Sequence, residues 1–406
     1  MERWPKELET DLETHHVIVG GGLAGGLIAL ALANAGRGGQ VTLIDREPRL
    51  GGNHTWSFHL TDLGDDERAL VAPLVARQWP GQEVRFPGRQ RILQAGYATV
   101  TSDKFAELVT SRLVRAGVRL LLDRPVAAVD ASLVRLEDGS GVRGRVVIDA
   151  RGPEALAPPR GAVATTRAGY QKFVGLELAL QSDGPWTLPL LMDATVSQSD
   201  GYRFVYLLPF SARRVLVEDT TYSSSPLLDV FEVERRILAY VTAHGATVTQ
   251  VLRRETGVLP LPLAAELDPP RAGAPLAVGY RGGFFHPVTG YSLPLAARVA
   301  LAVAKARTPD ETLAAVRAVA RQLEPQRRFG QLLNRMMFEA MPPASRWTAL
   351  DRFYRLPEAT IARFYASAST WGDRARILVG RPPAGLSWRH LFGRPPSEPG
   401  AEMAGG

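Results

Sequence analysis

The sequence predicts a mixed fold, α/β plus α+β, in which a split nucleotide-binding domain surrounds an inserted antiparallel sheet and a helical C-terminal region follows. Three observations carry this. A strand–turn–helix–strand block with spaced glycines lies near the N-terminus, long alternating strands fill the middle, and a βα pattern resumes after residue 270.

The first block opens with the apolar run Val17, Ile18, Val19, followed by Gly20-Gly21-Gly22-Leu23-Ala24-Gly25. Leu27, Ile28, Ala31, Leu32 and Ala35 then recur at helical spacing, and residues 41–44 form a second strand ending at Asp45. A helix over 103–116 places Phe105, Leu108, Val109 and Leu113 on one face and leads into a strand over 118–122. A meander follows through 126–129 and 133–136, turns at Asp138-Gly139-Ser140-Gly141 and returns over 146–149. From about residue 170 to 263 the strands lengthen. The clearest are 173–180, 202–208 and 214–220, with an amphipathic helix over 228–242. Residues 276–306 restore the βα pattern, and from Arg321 the chain is helical and rich in aromatics, Met and Arg.

The expected division is a Rossmann-type domain from residues 15–80, 100–160 and 270–310, and a substrate-binding sheet from 81–99 and 161–269. A helical region spans 311–380, and 1–14 and 381–406 are loose termini. No internal repeat is evident.

Composition narrows the function classes. Apolar residues make up 45% and charged residues 22% of the 406, which favours a globular fold over disorder. The absence of cysteine removes disulfides, thiolate catalysis and Cys-based zinc sites, and agrees with a reducing compartment. The net charge is +7, but the arginines are scattered, without the basic stripe and interleaved aromatics of a nucleic-acid binder. An anionic membrane surface or a phosphate-bearing cofactor accounts for the excess equally well. Residues 1–14 lack the apolar core of a signal peptide, and no window of about 18 uncharged apolar residues occurs. A soluble or peripheral protein is expected.

Gly20, Gly22 and Gly25 have GxGxxG spacing after a strand and at the start of a helix. The first permits the turn, the second lets backbone approach a pyrophosphate, and the third lets helix and strand pack closely. The helix N-terminus offers N–H groups and positive potential to phosphate. Asp45, at the end of the second strand, is placed to accept ribose hydroxyls. Two further features favour FAD over NAD. Val147-Ile148-Asp149-Ala150-Arg151-Gly152 is a strand ending in an acidic turn, of the kind that returns to a bound dinucleotide. The glycine-rich segment from Gly279 through Gly283, His286, Thr289 and Gly290 precedes a helix, where related flavoproteins line the ribityl chain and pyrophosphate; the blander reading is a loop that caps that helix. The one other GxGxxG spacing, Gly139-Ser140-Gly141-Val142-Arg143-Gly144, falls in the turn of the strand meander and opens no helix, so no second strand–helix motif is offered to NAD(P)H.

Four blocks then resemble the bacterial lycopene β-cyclases. They are Gly51-Gly52-Asn53-His54-Thr55-Trp56-Ser57-Phe58-His59, Met192-Asp193-Ala194-Thr195-Val196, Gly201-Tyr202-Arg203-Phe204-Val205-Tyr206 and His286-Pro287-Val288-Thr289-Gly290-Tyr291-Ser292-Leu293-Pro294, spread over residues 15 to 380. The resemblance implies a redox-neutral cyclisation that turns the ψ-ends of lycopene, by way of γ-carotene, into the β-rings of β-carotene. It implies reduced FAD as working cofactor, NAD(P)H as its reductant, and lycopene and related acyclic carotenoids as substrates. It also implies a cytoplasmic protein peripheral on the inner face of the cell membrane, with other carotenoid enzymes among its possible partners. It points to Val217-Glu218-Asp219-Thr220 as the family's acidic motif, with Glu218 the essential acid and Asp193 a weaker supporting candidate. Where related hydroxylases carry Gly-Asp, this chain has Gly279-Tyr280, so an Asp contact to the ribityl chain is not expected.

Cyclisation of a hydrocarbon end needs a strong proton donor, a dry pocket for a tertiary carbocation, and a base. Glu218 shares a strand face with Leu216 and Thr220, and an apolar pocket keeps such a carboxyl protonated near neutrality. The rings of Tyr202, Phe204 and Tyr206 share one face and offer themselves to the cation or to core packing. His54 and His286 could line the flavin site or be ordinary loop histidines. The competing readings are an FAD-dependent monooxygenase of the aromatic-hydroxylase type and a non-catalytic isoprenoid-binding protein on a related fold. A terpene cyclase of the DxDD or DDxxD kind lacks its motif here. Finally, Phe329, Leu332, Leu333, Met336, Met337, Ala340 and Met341 form a helical apolar stripe flanked by Arg327, Arg328 and Arg335, which is either core or a membrane-docking face.

Overall fold

The computed structural model describes residues 12–152, 168–264 and 274–379. The tail beyond 381 lies outside the described residues. Residues 12–14, expected in a loose terminus, instead belong to the first strand, where Leu12 pairs with Val142 and Thr14 with Gly144.

That strand, Leu12–Val19, is central in a seven-stranded sheet. It runs parallel to Val41–Ile44 on one side and to Gly141–Asp149 on the other. Arg119–Leu121 and Leu276–Ala277 add further parallel pairs, and the meander Val126–Val129, Leu133–Leu136 closes one side in antiparallel pairing. Strand alternation divides its side chains. Ile18 joins the helix-covered core, while Val17 and Val19 pack under the meander with Val134, Val142 and Val147. The helix Leu23–Asn34 buries Ala29 and Leu30 as well as its expected face, because the helix Leu293–Lys305 joins it in the same core. Helix Ser102–Arg115, capped by the Thr101 hydroxyl, buries Phe105, Val109 and Leu113 as the spacing predicts.

The second large sheet runs, in spatial order, Val248–Pro262, Ala168–Leu180, Arg214–Ser223, Tyr202–Ser211, Leu190–Asp193, Gln82–Phe86 and Arg89–Leu93. Every pairing is antiparallel except that of Leu190–Asp193 with Gln82–Phe86. Helix Val230–Ala243 covers one face, against Val174, Leu176, Val205, Val215 and Val217. The other face, bearing Leu216, Glu218, Thr220, Phe204 and Tyr206, is left for the site. A small third sheet, Thr55–His59, Tyr97–Thr101 and Arg77–Trp79, has strands too short and polar to show alternation in the sequence.

The C-terminal part is the long helix Pro309–Glu339 followed by Trp347–Phe353, Glu358–Tyr365 and Trp371–Leu378. It corrects the docking alternative for the apolar stripe. Phe329, Met337, Phe338, Ala340 and Met341 are buried, Leu332, Leu333 and Met336 half-buried, and Phe329, Leu333, Met337 and Phe338 pack in one core with Tyr354, Ile361, Phe364 and Tyr365. The stripe is core. Among the described residues no helix is long and apolar enough to cross a membrane.

Candidate functional site

Residues from both large sheets line one continuous cavity of about 2520 Å³. A drug-sized ligand fills roughly 300–1,000 Å³, so there is room for a dinucleotide and a second molecule. At one end lies the glycine turn. Gly20 has φ of +103°, and a Cβ there would lie 2.8 Å from Ala150 O. At Gly25 a Cβ would fall 1.9 Å from Gly20 O, so this glycine lets helix and strand touch. At Gly22 a Cβ would meet nothing within 4 Å, because the position opens onto the cavity. Ser292 and Leu293, at the start of a second helix, line the same cavity, so two positive helix ends face one space. These residues fit the pyrophosphate of a dinucleotide.

Asp45 lines the cavity and also braces the turn, its carboxylate accepting the N–H groups of Gly21 and, at 2.7 Å, of Glu47. Asp149 lines it too and is ion-paired with Arg151 at 2.7 Å and Arg281 at 3.0 Å. Its carbonyl accepts the Val278 N–H at 2.9 Å, which ties the strand to the glycine-rich segment. Within that segment Gly283 and Gly290, both at φ +72°, and Thr289 line the cavity. Tyr280, where hydroxylases carry Asp, donates its hydroxyl to Gly290 O and stacks on Phe285 at 4.3 Å.

His286 requires a correction. It is not among the lining residues but buried behind them, with Nε2 3.0 Å from the Phe364 carbonyl and Nδ1 accepting the Thr289 N–H at 3.2 Å. Burial lowers its pKa to about 4, so the ring is neutral and donates from Nε2. It shapes the loop. His54, by contrast, lines the cavity beside Trp56.

Elsewhere on the cavity wall four residues form a row across adjacent strands. Tyr206 pairs with Glu218, Glu218 with Gly175, and Gly175 with Glu255. Directly opposed residues share a face, and Tyr206, Glu218 and Glu255 all line the cavity. A Cβ on Gly175 would lie 2.9 Å from Glu218 Cγ and 2.8 Å from Glu255 Cγ, so the glycine is what lets the two stems converge. Burial first, then the charge and hydrogen bond of Glu255, hold the Glu218 carboxyl well above the usual carboxylate range, with Arg253 opposing them. Glu218 thus faces the cavity with its carboxyl biased towards the protonated form. Tyr206 donates to Ser57 Oγ at 2.7 Å and lies 3.1 Å from the Tyr97 hydroxyl, and burial keeps its own hydroxyl protonated.

Glu255 was not found from the sequence. Its Oε2 accepts from Arg253 at 2.8 Å and from the Thr55 hydroxyl at 3.3 Å, while Oε1 is buried without a hydrogen-bond partner. Arg253 also reaches Glu177 at 3.1 Å, Asn53 Oδ1 at 3.0 Å and Thr55 Oγ1 at 2.6 Å, docking the Gly51–His59 segment on the sheet. The usable signal was Arg253 and Glu255 at i and i+2, opposite charges on one strand face.

The other acids face away. Asp193 is buried outside the cavity, accepting from the Tyr240 hydroxyl at 2.7 Å and the Thr195 N–H at 3.0 Å, and so is not placed to support Glu218. Asp219, on the helix-covered face, is held by Arg203 at 2.6 Å and Arg236 at 3.2 Å. Phe204 and Tyr206 line the cavity, but Tyr202 is buried with its hydroxyl 3.1 Å from Met192 Sδ.

The model of the family described as Lycopene cyclase protein matches residues 16–389 of this chain. The chain belongs to the lycopene cyclase family. It is 44% identical over 370 residues to a lycopene beta-cyclase of Pantoea ananas, covering 90% of this chain and 94% of that one. A lycopene beta-cyclase of Pseudescherichia vulneris is 43% identical over 381 residues, covering 92% and 96%. Among solved structures, a geranylgeranyl bacteriochlorophyll reductase-like protein from Thermoplasma acidophilum aligns with a TM-score of 0.66 at 15% identity, covering 90% of this chain and 98% of that one. That last likeness is one of fold. The Gly20–Gly25 turn and the Glu218 row line the same cavity.

Proposed function

We propose that this chain is a lycopene β-cyclase, acting on lycopene and γ-carotene with Glu218 as the acid. The observation that carries the proposal is that Glu218, whose carboxyl burial and Glu255 push towards the protonated form, lines the same cavity as a dinucleotide cradle. Glu218 donates its proton to the terminal alkene of a ψ-end, leaving positive charge on a tertiary carbon. The neighbouring double bond attacks that carbon and closes the ring, and loss of a ring proton restores an alkene. The Glu218 carboxylate takes that proton back, so substrate and product have one formula. Phe204 and Tyr206 offer ring faces to the cation, and Leu191, Met192 and Leu259 keep water from it. FAD, held by Gly20, Gly22, Gly25, Asp45 and the Gly283–Gly290 segment and kept reduced by NAD(P)H, supplies an electron-rich ring that stabilises nearby positive charge.

The substrate partitions into bilayers, and peripheral membrane docking belongs to this reading. Leu227 and Phe231 are 80% and 86% exposed; Leu227 lies between Pro226 and Leu228, which line the cavity, and Phe231 three residues beyond. They replace the 329–341 stripe as the docking candidates. The test of the activity is anaerobic incubation with lycopene, FAD and a reductant, with pigments resolved by chromatography. Cyclic product without O₂ is expected; NAD(P)H oxidation matched to product would mean a monooxygenase.

A further inference from the structure

We propose that Glu218 and Glu255 act as one acid, two carboxyl groups holding a single proton between them, with Glu255 as the charged member that positions it. The inference rests on the reading of Glu218 as the proton donor and adds a residue that reading does not need.

Register sets the arrangement. Glu218 and Glu255 lie on strands that both border Ala168–Leu180, and both are opposed to Gly175. With no side chain between them, the two stems converge on one space: a Cβ on Gly175 would lie 2.9 Å from Glu218 Cγ, 2.8 Å from Glu255 Cγ and 3.2 Å from Glu255 Oε1. Two carboxylates so close in a dry site cannot both ionise, so one keeps a proton. The surroundings decide which. Glu255 has the Arg253 guanidinium and the Thr55 hydroxyl on Oε2, both of which favour the charged form. Glu218 has no cation in direct contact among the described residues and faces the cavity. Glu255 Oε1, buried and otherwise without a donor, is then the acceptor for the proton that Glu218 carries. When Glu218 gives its proton to the alkene, two negative charges face each other, and that repulsion drives recapture of the proton released from the ring. Glu255 is thus a positioning residue, acting through Glu218. Arg253 limits the repulsion and, through Asn53 and Thr55, fixes the dyad to the Gly51–His59 segment at the cavity. The groups facing the pair are Arg253 and Glu177 on the sheet, Thr55 from the small sheet, and the hydroxyl of Tyr206.

The test is the pH–rate profile of the FAD-loaded protein, reduced anaerobically, with lycopene in neutral phosphatidylcholine vesicles. Activity requires protonated Glu218, so the rate falls as pH rises through the acid's pKa. Glu255→Gln removes the charge that raises that pKa and leaves Arg253 to lower it. The alkaline limb is expected to move to lower pH by about one unit or more, with activity kept on the acid side and the limb partly restored in Glu255→Asp. A lower rate at every pH with an unmoved limb would overturn the dyad and leave Glu218 standing. An active Glu218→Gln would overturn both. Infrared titration of the native holoprotein gives a second reading independent of the Glu255 variants' folding. A protonated-carboxyl band that persists at neutral pH and is absent from Glu218→Gln supports the pair, and its absence from the native protein overturns it.

Discussion

Glu218 and Glu255 stand on strands that do not touch, and their side chains meet only because Gly175, opposed to both, leaves the space between them open. Gly175→Ala should therefore separate the carboxyl groups while leaving both glutamates in the sequence. Its Cβ would lie 2.8 and 2.9 Å from the two Cγ atoms, so both stems must shift. Overpacking of this kind costs about 1–3 kcal/mol of stability, and a misplaced acid costs on the order of a hundredfold in rate. Cyclisation assays alongside flavin absorbance check this; full activity would show that the glycine has no bearing on the acid.

The second and third motif glycines should fail differently. Gly22→Val projects into open cavity, so the apoprotein should fold and melt normally while losing FAD. Gly25→Val drives atoms into the Gly20 carbonyl and should lose the fold itself. Circular dichroism and flavin absorbance of the two variants separate these outcomes.

Asp219, although adjacent to Glu218, should prove structural. Asp219→Ala leaves Arg203 buried with Ser197 O as its remaining side-chain contact, and the loss should be about 3–5 kcal/mol. Chemical denaturation measures it. A folded, stable variant with abolished cyclisation would move the acid to the wrong side of the strand.

Docking on the membrane should depend on the exposed pair beside the cavity-lining residues. Leu227→Asp with Phe231→Asp should reduce flotation with anionic vesicles while leaving the melting temperature unchanged, since both side chains are exposed. Leu333→Glu with Met337→Glu should instead destabilise the protein, because those residues pack in the core. Unchanged flotation of the first variant would return the docking surface to another part of the molecule.

The glycine turn was legible because its spacing states local backbone requirements: Gly20 at positive φ, Gly25 against a carbonyl, Gly22 open. The facing of Glu218 was legible because strand alternation sends it away from Val217 and Asp219. What stayed hidden depended on contacts between segments distant in the chain. Glu255 meets Glu218 through sheet order, which no local pattern encodes, and a register shift near Glu177 disturbs the alternation of the strand Val248–Pro262. His286 was misplaced, and the 329–341 stripe left undecided between core and docking face, for a related reason. Each has a polar or apolar character that suits a site, and only the packing of Phe364 and its neighbours shows that they are interior.

The central claim is that Glu218 protonates the substrate, and because a carboxyl facing the open cavity exchanges its recaptured proton with water between turnovers, deuterium labelling tests it most directly. Anaerobic turnover of lycopene in D₂O by the reduced holoprotein should give β-carotene carrying one deuterium per ring, because the added proton stays on carbon while a different one leaves. Glu218→Gln, with FAD still bound, should give no cyclic product. Unlabelled β-carotene from the native protein, or labelled β-carotene from Glu218→Gln at a near-native rate, would contradict the account.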